Sequence, residues 1–339
     1  MSKSHSVAIL DDYQNVALKY GNWTPVEKYA TIKVFNDTIL SEDDLVARLE
    51  PFTIICTMRE RTRFPASVLK QLPNLKLLTT TGMGNRSIDI RAANAQGVVV
   101  AGTGGAGAAT TEHTWGLILG VMRHIAEEDK NTKEGGVWQR TVPTGLKGRT
   151  FGLIGLGHLG QASAKYRLSK GLTNFRIAKI FGMNVIAWSP NLSAERCAAA
   201  DVGFAKSKEE LLQRSDVVSI HMVLSSTTKD LLTAEDLKHM KPTAFLVNTS
   251  RGPIVNETAL IDILKAHKIA GAALDVFDVE PLPQNHELRK LDNVLLSPHV
   301  GYISDENYGA FYGQTSENVL NFLQDKPVKV LGPNQGMVE

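Results

Sequence analysis

Thr150-Phe-Gly-Leu-Ile-Gly155-Leu-Gly157-His158-Leu159-Gly160-Gln161 decides how this chain is read, because an apolar run stops there at three spaced glycines. The pattern predicts a strand that turns into a helix. Gly155 suits the tight turn, Gly157 lets backbone approach a pyrophosphate with no Cβ between, and Gly160 lets the helix pack close on its strand. The start of that helix then offers N–H groups and a partial positive charge to an anion. Three glycines alone also occur in ordinary strand-to-helix turns; Phe151, Leu153 and Ile154 ahead of them point to a dinucleotide.

On both sides of this turn, short apolar runs alternate with helical stretches. Before it, strands are predicted over residues 7–10, 32–35, 54–56 and 75–80, with helices over 42–49 behind an N-cap at Ser41, from Pro65 to before Pro73, and over 88–95. A long helix is predicted over 109–128. Beyond the turn, strands are predicted at 184–188, 217–221, 244–248, 270–276 and 294–296, with helices at 208–213, 234–240, 257–266 and 305–323. This rhythm implies parallel sheets with helices outside, so the expected class is α/β with two Rossmann-like, doubly wound parallel-sheet domains. A length of 339 residues agrees, since it exceeds what one core usually serves. Gly102-Thr-Gly-Gly-Ala-Gly107 reads as a hinge between the two.

Composition narrows the partners. With 37 basic against 35 acidic residues, no stripe of positive charge stands out to hold a phosphate backbone, so neither nucleic acid nor a membrane surface is expected. Two cysteines, Cys56 and Cys197, without a C-x-x-C pair fit a reducing compartment. Residues 1–10 lack the apolar core and cleavage site of a signal peptide, and no run approaches a membrane span; the expectation is a cytoplasmic protein. No metal site is expected, because His113 follows Glu112 on an apolar helix and has no partner at metal spacing.

Three predicted strand ends carry the residues suited to chemistry: Asn248-Thr249-Ser-Arg251, Asp275-Val-Phe-Asp-Val-Glu280 and Ser297-Pro-His299. In an open α/β sheet, successive strand ends converge on one crevice. A guanidinium there can grip a carboxylate through two hydrogen bonds, an imidazole can exchange a proton with a hydroxyl or carbonyl oxygen, and a carboxylate can orient the imidazole. Singly, these residues read as a cap, a surface acid and a core histidine; jointly, behind a dinucleotide turn, they suit reversible hydride transfer. The strand at 184–188 ends in Ser189-Pro190-Asn191, with no acid to hold the ribose hydroxyls, and Arg196 is a candidate phosphate partner, though poorly placed. Use of both NAD and NADP is therefore expected.

The order of G-x-G-x-x-G, S-R-G-x-[IV], D-V-[FY]-x-x-E-P and a histidine after S-P resembles the D-isomer-specific 2-hydroxyacid dehydrogenases, and the resemblance runs from Val7 to Val330. It implies a catalytic arginine at Arg251, an acid/base at His299 and its partner at Glu280. It further implies a discontinuous substrate domain of residues 1–103 and 300–339 around a dinucleotide domain of residues 104–299. Gly82, Met83, Gly84 and Asn85 would hold the substrate carboxylate; Gly155, Gly157, His158, Leu159, Gly160, Ser189, Thr249 and Asp275 would line NAD or NADP. A small 2-oxo or 2-hydroxy acid, glyoxylate or hydroxypyruvate being the examples weighed, is the implied substrate, and a homodimer through the helix near Thr111 to Met122 the implied assembly. The same scaffold resembles NADH-sensing corepressors, and a catalytically silent relative would share it.

One spacing departs from the pattern. Gly155 and Ser189 are 34 positions apart, against about 20 in a Rossmann unit. Without residues 166–176 the interval is 23, and Lys165 joins Ile177 in a continuous amphipathic helix. The expectation is a late insertion, such as a translated intron would leave, with the helix breaking near Gly171-Leu-Thr-Asn174 to extrude a loop.

Overall fold

The computed structural model describes residues 4–157 and 170–337. His158, Leu159 and Gly160 lie outside the described residues, as do residues 166–169 of the expected insertion. The backbone divides into two compact units, Met1–Gly107 with Ile303–Glu339, and Ala108–Tyr302.

The first unit is built on five parallel strands: β1 (His5–Ile9), β2 (Ala30–Val34), β3 (Ile54–Thr57), β4 (Leu77–Thr80) and β5 (Val99–Gly102), ordered β2-β1-β3-β4-β5. β3 and β4 are buried along their whole length, which is why they read as unbroken apolar runs. Sequence reading missed β5. Its far edge is covered by a return of the chain, through Gly102 N to Lys329 O at 2.9 Å and Leu331 N to Val100 O at 2.8 Å, and that partner is invisible locally. The helix Asp305–Leu323 begins at a Ser304 cap and buries Tyr308, Phe311, Tyr312 and Val319. Its side chains bind the glycine-rich stretch expected as a hinge: Gln314 Oε1 accepts from Gly104 N (2.8 Å) and Asn307 Oδ1 from Ala106 N (2.9 Å).

The second unit is built on seven parallel strands: β6 (Thr150–Ile154), β7 (Asn184–Trp188), β8 (Gly203–Phe204), β9 (Val217–Ile220), β10 (Phe245–Asn248), β11 (Gly271–Leu274) and β12 (Val294–Leu296). Their order is β12-β11-β10-β9-β6-β7-β8. Alternate residues feed separate apolar clusters, Phe151, Leu153 and Val217 in one, Ile154, Val218 and Ile220 in the other, so both faces are covered. The strand order reverses between β6 and β9, which makes their carboxyl ends the crevice of this sheet.

Two expectations about helices need correction. The helix predicted over 109–128 is two, Ala109–Met122 and Ile125–Lys133, separated at His124 with φ +52°. The apolar face stops at Met122, and a left-handed residue ends the helix there without a glycine. Beyond the glycine turn, the described helix Lys170–Ile180 runs straight through Gly171–Asn174, where a break was expected. Poor helix formers are held by tertiary packing, with Asn174 and Ala178 buried one turn apart on the inward face.

Candidate active site

At the crevice, Gly155 adopts φ +96° and its N–H donates to Trp188 O at 2.9 Å, joining the ends of β6 and β7. A Cβ at Gly155 would stand 2.6 Å from His221 O, so packing against the end of β9 independently requires glycine. Gly157 also has positive φ, +74°. These two positions fit the backbone cradle of a pyrophosphate.

The ends of β10, β11 and β12 lie side by side on the same sheet. After β10, Asn248 Nδ2 donates to Arg251 O at 2.9 Å and its Oδ1 accepts from Ser250 N at 3.0 Å, which closes the loop that carries Arg251. Gly252 packs directly on the loop after β11, since a Cβ would fall 2.1 Å from the Phe277 carbonyl carbon. The arginine and glutamate loops are therefore neighbours. After β11, Glu280 Oε1 accepts from Phe277 N at 3.0 Å, and its Oε2 lies 2.5 Å from His299 Nδ1. His299 and Glu280 side chains keep 18% and 23% of their surface exposed, so the pair sits at a surface a ligand can reach.

Asp275, one of the residues expected to line the cofactor, also holds the segment that carries His299. It is 1% exposed, and its oxygens accept from Ser297 Oγ (2.6 Å), Val300 N (2.9 Å) and Gly301 N (2.8 Å), with His113 Nε2 at 3.1 Å. Burial pushes its carboxyl up, but the hydrogen bonds from His113 and Ser297 outweigh that and hold it below the usual carboxylate range. Asp275 thus ties both sides of the segment that carries His299. His113, dismissed on sequence, is part of this clamp and also lies 2.9 Å from Ser297 Oγ. The signal was available: Thr111 and Thr114 are buried on the same apolar helix, and buried polar groups need partners. Thr114 Oγ1 meets Thr249 Oγ1 at 3.0 Å, so the Thr249 hydroxyl is engaged within the protein.

Ser189 follows β7, and Leu192 N donates to Ser189 O at 3.1 Å, turning the chain back. That turn brings Arg196 to the glycine stretch: Nη2 donates to Gly157 O at 2.9 Å and Nη1 to Asn191 O at 3.2 Å.

Gly82, Met83, Gly84 and Asn85 belong to the first unit, after β4. Gly82 N donates to Thr103 Oγ1 (3.0 Å) and Asn85 N to Gln335 O (2.8 Å), so these two amides of the turn are engaged within the protein. The Asn85 side chain is buried, donating to Arg59 O and Thr80 Oγ1, so it shapes the turn. Among the described residues, no group of three metal-binding side chains occurs, and no helix is long and apolar enough to cross a membrane.

The family model for the D-isomer specific 2-hydroxyacid dehydrogenase NAD binding domain matches residues 115–301. A glyoxylate reductase of Thermofilum pendens is 40% identical over 277 residues, covering 80% of this chain and 78% of the relative. A D-3-phosphoglycerate dehydrogenase of Archaeoglobus fulgidus is 35% identical over 86% of this chain but only 53% of its own length. Among solved structures, a phosphoglycerate oxidoreductase of Vibrio cholerae superposes with a TM-score of 0.86 at 34% identity, over 95% of this chain and 99% of that one.

Proposed function

Because the chain belongs to the D-isomer-specific 2-hydroxyacid dehydrogenases, an NAD(P)-dependent oxidoreductase family, we propose that Arg251, Glu280 and His299 interconvert a small 2-oxo acid and its D-2-hydroxy acid. Glyoxylate, which a relative's name carries, and hydroxypyruvate are the acids to test first. The observation that carries the reading is the 2.5 Å pairing of Glu280 with His299 Nδ1, on a segment anchored by Asp275.

A bound nicotinamide would supply or accept the hydride. With Glu280 on Nδ1, the ring is oriented and Nε2 becomes the nitrogen that donates a proton to the carbonyl oxygen in reduction and takes it back in oxidation. The Arg251 guanidinium holds the substrate carboxylate through its planar pair of donors. Met83 N and Gly84 N, on the turn after β4 of the first unit, are proposed as donors to a carboxylate. Glycine backbone at Gly155 and Gly157 admits the pyrophosphate. Assembly as a homodimer and a cytoplasmic setting complete the proposal.

The test is a screen of purified protein for NADH and NADPH oxidation against a panel of 2-oxo acids. Turnover of at least one acid, lost in His299→Ala, is expected; dinucleotide binding without turnover of any acid would favour a sensing protein instead.

A further inference from the structure

We infer that Gln335 is a positioning residue for substrate binding: its side-chain amide sets the direction of the Gly84 N–H on the turn after β4, which rests on the reading of that turn as a carboxylate receptor given above. Both stretches belong to the first unit. Gln335 Nε2 donates to Met83 O at 2.9 Å, and Gln335 O accepts from Asn85 N at 2.8 Å. Which way the amide points is fixed, because Gln335 Oε1 accepts from Gly332 N at 2.8 Å and Nε2 is then the atom that meets the carbonyl. A Cβ at Gly84 would stand 3.1 Å from Gln335 O, so the turn and the returning segment pack backbone to backbone.

In a trans peptide the C=O and the next residue's N–H point opposite ways, so a hydrogen bond to one aims the other. Both peptides of the turn are trans. Gly82 O accepts from Thr103 N at 3.2 Å, which directs the Met83 N–H, and Met83 O on Gln335 Nε2 turns the Gly84 N–H away from the returning segment. Successive backbone N–H groups held in fixed directions are the chemistry that receives an anion. Anchoring the segment is a separate task. Leu331 N on Val100 O, Asn85 N on Gln335 O and Met337 N on Ile88 O hold it through backbone alone. Those bonds need no particular side chain at position 335, and what the glutamine adds is control of the Met83–Gly84 peptide.

The experiment is steady-state reduction of a 2-oxo acid by the full chain at saturating NADPH or NADH, in the wild type, Gln335→Ala and Gln335→Glu, with dinucleotide affinity measured for each. Both variants should raise KM for the acid about 10-fold while kcat and dinucleotide affinity stay within about 3-fold, as when an interaction common to ground and transition states is lost. The glutamate variant adds a sign that packing alone would not give. Its ionised carboxylate cannot donate to Met83 O, whereas the protonated form can, and facing a carbonyl favours that form. Its KM excess over wild type should therefore shrink between about pH 8 and about pH 5, as the carboxyl gains its proton. An unchanged KM in both variants, an excess for Gln335→Glu that is the same at both pH values, or losses of kcat and dinucleotide affinity as large as the rise in KM would overturn the positioning role and leave the dehydrogenase reading standing. A wild type that reduces no 2-oxo acid would overturn both.

Discussion

His299 stands at φ +54°, a backbone conformation uncommon for a residue with a side chain, and it persists because Asp275 grips the two amides that follow it. Replacing His299 by Ala should lower kcat at least about 100-fold, the usual share of general acid/base catalysis, with dinucleotide affinity retained. Arg251→Lys keeps the charge and loses the fork, so KM for the 2-oxo acid should rise steeply while NAD(P) affinity holds; an unchanged KM would make the arginine structural. Asp275 predicts a pH effect on stability. Its folded-state pKa is depressed, so its contribution is present above the unfolded value of about 4 and is lost as pH falls through the lower folded value. Thermal melts of Asp275→Asn should therefore lie below wild type at neutral pH and converge with it below about pH 4. A gap that stays constant into acid would mean that the ionised carboxylate is not what holds the loop.

Among the elements, those legible in the sequence are the ones whose evidence is local. The glycine turn after β6, the three strand ends bearing Arg251, Glu280 and His299, and the helix Asp305–Leu323 behind Ser304 all announce themselves within a few residues. What escaped depends on distant partners. β5 pairs with chain more than 200 positions on, His113 meets Asp275 across 162 positions, and Arg196 reaches Gly157 across 39. The helix Lys170–Ile180 is instructive in the other direction, since glycine, threonine and asparagine argued for a break that packing overrode. It leaves a defect, however: among the described residues, the buried Asn174 side chain finds no hydrogen-bond partner for its oxygen or its nitrogen. Such an atom pair costs about 1–3 kcal/mol, so Asn174→Leu should raise Tm by several degrees at about 2–4 °C per kcal/mol. An unaccommodated amide on the inward face also fits a segment added late to an existing helix. Deleting residues 166–176 should then raise Tm and leave dinucleotide affinity equal or better; a deletion variant that unfolds would make the segment integral to the domain.

For the whole molecule, the parallel sheet of Ala108–Tyr302 brings the turn at Gly155 and Gly157 to one side of its central strand and the Glu280–His299 pair to the other. Neither feature alone implies turnover: a glycine turn can serve a sensor, and a histidine on a carboxylate can be structural. Their presence on one sheet edge, in a chain of this family, is the basis for assigning catalysis. The most direct test is therefore product formation from purified wild type and His299→Ala, compared under identical conditions with NADPH, NADH and a set of 2-oxo acids including glyoxylate and hydroxypyruvate. Wild type should consume reduced cofactor in step with formation of the 2-hydroxy acid, as the D isomer where the product is chiral, and His299→Ala should do so at least about 100-fold more slowly. Equal rates in the two proteins, or formation of the L isomer, would contradict the account.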